Sequence, residues 1–216
     1  PMMKSWLDEN GPVLDLLGKA VRKPVFCLPL IRQDPDSPLS ETLVLGGFRQ
    51  VRSFARSLHA RANYRLGTGD VDGALDDIIT AKRLGRHLQG GATIVEVLVG
   101  IAAEGIADSI GVAAVRERQP TAAQLRRFLA ELDASPPPLD MDRLWLSQRL
   151  VTLDSVQAMV CGKRPVADLF ASTDERFSPG LALSLTLDVN VLMQRVNEYY
   201  GDRDRAADRT CPGRRL

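Results

Sequence analysis

The sequence is poor in the residues that most often announce a chemistry. It has two histidines, three cysteines and 5% aromatics in 216 residues. Cys27, Cys161 and Cys211 are odd in number, far apart and without a Cys-x-x-Cys pair. That spacing speaks against a disulfide framework or a zinc site. They read as free thiols, one or two of them buried. His59 and His87 belong to no His-Glu-x-x-His or Glu-x-x-His pattern, so the zincin and di-iron bundle signatures are missing. There is no Gly-x-Ser-x-Gly, no phosphate-binding GxxxxGK[ST] and no GxGxxG after a strand. No catalytic residue, metal or cofactor is implied. A charge excess is lacking too. Lys and Arg number 28 against 27 Asp and Glu, a net charge of +1. No global field attracts nucleic acid, and few aromatics are present to stack on bases. No window reads as the roughly 18 apolar residues of a membrane span. Nothing at the start reads as a secretory signal.

What is present is helix-forming. Hydrophobic residues make up 44%, dominated by Ala, Leu and Val at three- and four-residue spacing. That pattern predicts an all-α fold. The first helix is expected over 5–20. Ser5 is a candidate cap, and the helix starts in earnest at Pro12, where proline suits a first turn. Pro24, Pro29, Pro35 and Pro38 then forbid a continuous helix over 22–39. That connection is either a covering strap or a functional loop. Ser40 caps a long helix whose apolar positions are Val44, Phe48, Val51, Ala55, Leu58, Ala62 and Leu66. Gly67-Thr68-Gly69 ends it, and Asp70 caps the next helix, with Val71, Ala74, Leu75, Ile78, Ala81 and Leu88 inward. The segment from Thr93 to Val115 is apolar all round and reads as a buried helix. Gly100, Gly105 and Gly111 cost it helix propensity, and close approach of a neighbour is the expected return. Thr121 caps a short helix to Leu132. Ser135-Pro136-Pro137-Pro138 is a stiff spacer. Asp140 caps a helix to about Val160, a short helix is expected near 165–171, and a last one from Leu187 to Tyr199. The expected organisation is a helical domain over 1–134, a C-terminal helical subdomain over 139–200 and a flexible tail over 201–216.

The stretch LHARANYRLGTGDVDGALDDIITAKRLGRH, residues 58–87, resembles a tetratricopeptide repeat. Ala62, Ala74 and Ala81 stand at its small positions, Gly69-Asp70 at its turn, and Tyr64 near its aromatic. No second copy follows at a period near 34. The resemblance implies antiparallel helical hairpins in an irregular α-α superhelix and not a regular repeat array. It also implies a protein-interaction role. Over most of its length the chain is similar to an uncharacterised helical family common in planctomycete bacteria. The carrying segments are WLDEN, KPVFCLPL, SFARSLHARANYRLGTGDVDGALDDIITAKRLGRHL, TIVEVLVGIAAEGIADSI and DVNVLMQRVNEYY. That resemblance implies no activity. Longer members carry an N-terminal membrane anchor, so a chain opening on Pro1 is expected to be the soluble part of an envelope-anchored parent.

Two constellations are candidate sites. Arg49, Arg52, Arg56 and His59 lie on the polar side of one long helix. They are a solvated face or a groove for an anion or an acidic protein or peptide partner. Glu96, Glu104 and Asp108 form an i, i+4 row with Gly100 on the apolar helix. They pair with arginines of adjacent helices, or part of the row reaches solvent, or they join His59 or His87 in a small-ligand or metal site. The first reading makes the chain a scaffold or interaction module and the second an enzyme or ligand binder. A homo-oligomer is a third expectation.

Overall fold

A computed structural model of the protein describes residues 2–27, 46–91, 93–161 and 189–210. Among them are seven helices and no strand, so the chain is all-α as its periodicity predicts. The helices are α1 (Met2–Ala20), α2 (Gly46–Thr68), α3 (Val71–Gln89), α4 (Ile94–Arg118), α5 (Ala122–Asp133), α6 (Met141–Val160) and α7 (Val189–Thr210). They fall into two compact units, α1 to α5 and α6 with α7. The Ser40 cap, Val44, the proline-rich connection beyond Cys27, the short helix near 165–171 and Cys211 lie outside the described residues.

α1 is continuous from Met2, so neither Ser5 nor Pro12 starts it; Pro12 sits inside the helix. The amide that proline lacks would have bonded the Asp8 carbonyl. Both residues are exposed, where water can satisfy that oxygen. Leu14 and Val21 of this region enter the core, whereas Val13 and Leu16 stay outside. Cys27 and Cys161 are both free and exposed.

α2 buries Val51, Ala55, Leu58, Ala62 and Leu66, the face its spacing predicts. Gly69 ends it at φ +86, a conformation open to glycine because it has no Cβ. Asp70 then accepts a 2.9 Å bond from the Gly73 amide and starts α3. These two devices turn the chain back on itself in a hairpin.

α3, not α4, is the helix buried on nearly every side. It packs on α1, α2, α4 and α5. Leu75, Ile79 and Leu84 are buried, and so are the polar Asp77, Thr80, Arg83 and His87. α4 is an edge helix packed mainly on α2 and α3. Its Val97, Val99, Ala103, Ala107, Ile110 and Ala114 are buried, while Ile94, Leu98, Ile101, Val112 and Val115 are exposed. By length and composition α4 is the one described helix apolar enough to cross a membrane, which corrects the expectation that no such window exists. Its inner face is nonetheless part of the bundle core, and no clear membrane span follows.

The core has two clusters. Leu14, Leu58, Leu66, Leu75, Ile78 and Ile110 anchor one. Val21, Val51, Leu84, Leu88 and Val99 anchor the other. Alanines at the crossings (Ala55, Ala62, Ala74, Ala81, Ala103 and Ala107) let the helices approach closely. The tightest crossing is between two glycines. A Cβ on Gly100 would lie 2.5 Å from the Gly85 carbonyl oxygen, and one on Gly85 would lie 2.7 Å from that of Gly100. Gly105 has nothing within 4 Å, and Gly111 has only an ordinary contact with Ile78. Of the three glycines expected to admit a neighbour, Gly100 alone does so closely.

Capping boxes start α4 at Thr93 with Glu96 and α5 at Thr121 with Gln124. Arg83 and Arg86 reach from α3 to the Glu131 and Leu132 carbonyls, capping the C-terminal end of α5 with positive charge. In the second unit, α6 and α7 meet through the Trp145 and Tyr200 rings, 6.4 Å apart, and a 2.9 Å bond from Arg149 Nε to Asn197 Oδ1. α7 continues to Thr210, beyond the expected end at Tyr199.

The glycine geometry separates two substitutions. Gly100→Ala forces a methyl into backbone and is expected to cost about 1–3 kcal/mol by urea unfolding. Gly105→Ala meets open space and is expected to be stabilising by about 0.5–1 kcal/mol through helix propensity.

Candidate functional site

The most constrained polar group in the first unit is the Asp77 carboxylate, 1% exposed on α3. Arg61 of α2 grips it with three contacts: Nε 3.1 Å from each oxygen and Nη2 2.6 Å from Oδ1. Arg65, one turn on, places Nη1 3.0 Å from Oδ2. Nη1 of Arg61 also donates to Asp15 Oδ1 of α1 at 2.7 Å. One carboxylate thus ties three helices together. Burial pushes the Asp77 carboxyl above its ordinary range, against the opposing pull of Arg61 and Arg65. For Arg61, desolvation is the largest single influence and lowers its pKa, but Asp77 and Asp15 together outweigh it and hold the guanidinium above its ordinary value. A raised acid disfavours its own ionised form in the folded state. Asp77's own contribution to stability is therefore full below its unfolded value and falls as pH rises through the folded one. A buried ion network of this kind adds little net stability over apolar packing of the same volume.

The carboxylate row of α4 is occupied by neighbours. Glu104 Oε1 is 3.2 Å from Arg86 Nε and 3.6 Å from Lys82 Nζ, while Gln89 donates to Oε2 at 2.6 Å. Asp108 lies 2.5 Å from Lys82 Nζ. Glu96 is spent on its capping box, accepting from the Thr93 amide at 2.9 Å. His87 donates from Nε2 to the Val21 carbonyl at 2.8 Å and stands 5.8 Å from the Phe26 ring. Among the described residues no three His, Cys, Asp or Glu side chains gather as a metal set.

The arginine row of α2 is partly described; the side chain of Arg49 lies outside the described residues. Arg52 and Arg56 are exposed. His59, on the same flank, is half-buried, with Nδ1 3.4 Å from the Ile106 carbonyl of α4. That contact places the flank beside α4. Arg61, Arg65, Arg83, Arg86 and Arg127 each have a carboxylate partner. Arg52 and Arg56 have none among the described residues.

Two surface features remain. A shallow crevice between α3 and α5 is lined by Leu75, Ile79 and Phe128, but Arg127 closes on Asp76 at 2.7 Å and Gln124 on Asp72 at 3.0 Å across its rim. The outer face of α4 is different. Leu98 is 56% exposed, Ile101 47% and Val112 56%, with Ile94 and Val115 also open. Residues 94, 98, 101 and 105 step by four, three and four, so they share one side of the helix. Comparison with known proteins finds no family model, no curated sequence and no solved structure that matches the chain.

Breaking the network on one side leaves buried charge. Asp77→Asn is expected to destabilise the protein by about 3–5 kcal/mol, whereas the double variant R61M/D77L recovers most of that loss. Thermal and urea unfolding of the two variants measure the difference.

Proposed function

We propose that the chain is a helical scaffold that binds another protein or peptide, with the outer face of α4 as its docking surface. One observation carries this reading: five large apolar side chains (Ile94, Leu98, Ile101, Val112 and Val115) stand exposed along a single helix. Large apolar side chains exposed together on one helix face are costly in water and mark interaction sites. The hairpin of α2 and α3, with alanines at its crossings and Gly69-Asp70 at its turn, supports a TPR-like scaffold. The similarity to an uncharacterised planctomycete family and an envelope-anchored parent belong to the same proposal. An enzyme built on Glu96, Glu104, Asp108 and His87 has less support, since each of those groups already has a partner within the fold.

The reading is tested by placing a photo-crosslinking amino acid at position 98, or at exposed position 13 as a control, in the full-length parent within its native cells. A discrete heteromeric adduct from position 98 alone is the expected outcome. Equal or absent adducts from the two positions contradict it.

A further inference from the structure

We propose that the partner is an amphipathic helix whose apolar stripe lies along α4 and whose acidic flank meets Arg52 and Arg56. The inference rests on the interaction reading above and adds the partner's chemistry. α4 offers the apolar half. Ile94, Leu98 and Ile101 project from one side at four- and three-residue steps. Gly105 continues the row with nothing within 4 Å of its missing Cβ. That spacing is the one at which a second helix seats its own side chains between them. Gly100, by contrast, is used up against Gly85 inside the bundle. Gly105 leaves a notch on the outside, in the middle of the row.

The charge at the rim selects the partner. α2 and α4 run in the same direction, because each is antiparallel to α3 through a short turn. His59 beside Ile106 fixes their register. Arg52 and Arg56 precede His59 by seven and three residues on the same flank, so they stand alongside residues 99–103 of α4. Among the described residues they have no carboxylate partner, whereas the buried and interfacial arginines of the unit each hold one. On the opposite edge Lys82 is already engaged by Asp108 and Glu104. A ligand with one apolar stripe and carboxylates on one side matches both features. An anionic membrane matches less well: Asp108, 59% exposed, and Ser109 interrupt the outer face and would be pressed against the lipid surface.

The test uses two fluorescein-labelled synthetic helical peptides with the same leucine stripe, one flanked by Glu and one by Lys. Binding to the full chain is followed by fluorescence anisotropy. The Glu peptide is expected to bind about tenfold tighter, the size of a few exposed ion pairs gained in one peptide and lost in the other. R52E/R56E reverses the preference, and L98D/I101D weakens both peptides, with circular dichroism unchanged in each variant. Equal binding of both peptides, or a preference that R52E/R56E leaves intact, overturns the acidic partner and leaves the interaction reading standing. No binding of either peptide, while the position-98 adduct still forms, does the same. A dimer in light scattering that L98D dissolves, or sedimentation with phosphatidylglycerol vesicles without binding of the Glu peptide, gives the face to another occupant and also overturns it. Loss of the position-98 adduct separately removes the interaction reading.

Discussion

The carboxylate of Asp77 is the group around which the first unit is arranged. It is buried in the middle of α3 and must be met by positive charge, because an unpaired ion there would be prohibitively expensive. Arg61 and Arg65 meet that demand from α2, and Arg61 carries it on to Asp15 of α1. Few placements of three helices satisfy one carboxylate this way. The ionic cluster and the alanine crossings therefore answer different questions. The alanines set how near the helices come, and the cluster sets which residues lie opposite one another.

Once α3 is enclosed, its partners divide by what they have left over. α2 turns its arginines inward where they face α3 and α1, and leaves Arg52 and Arg56 on the far flank. α4 meets α3 through the Gly85–Gly100 contact and uses half of its apolar surface there. No described helix of the unit covers the other half. An apolar face that the described residues leave uncovered, beside cations that they leave unpaired, is the basis for proposing a binding role. Fold type alone would not justify it.

The α2 stripe, the α2–α3 turn and the caps at Asp70 and Thr121 could be read from sequence because they are local. The stripe from Val51 to Leu66, Gly69, Asp70 and Thr121 needed only spacing and side-chain chemistry. What spacing does not encode is which helix is central. The α4 sequence is more apolar than that of α3, yet α3 is the more buried, since its polar residues find partners on α2, α4 and α5 and at the Val21 carbonyl just past α1. Asp77 carried a signal: it lies three residues after Ala74 and four before Ala81, on the inward stripe. An acid at such a position calls for a buried cation, but Arg61 is identifiable only once the helices are docked. The Glu104 row was visible as a row, and its partners Lys82, Arg86 and Gln89 were not, for the same reason. Pro12 misled because its exposed site lets water satisfy the Asp8 carbonyl, which removes one of proline's two costs in a helix interior; the ring's clash with that carbonyl is the other.

Hydrogen–deuterium exchange of the full chain with and without the Glu-flanked helical peptide tests the central claim most directly. The account predicts added protection in residues 94–105 and 50–60, with α5, α6 and α7 unchanged. Protection confined to α6 and α7, or none at saturating peptide, would contradict the assignment of the α4 face as the docking surface.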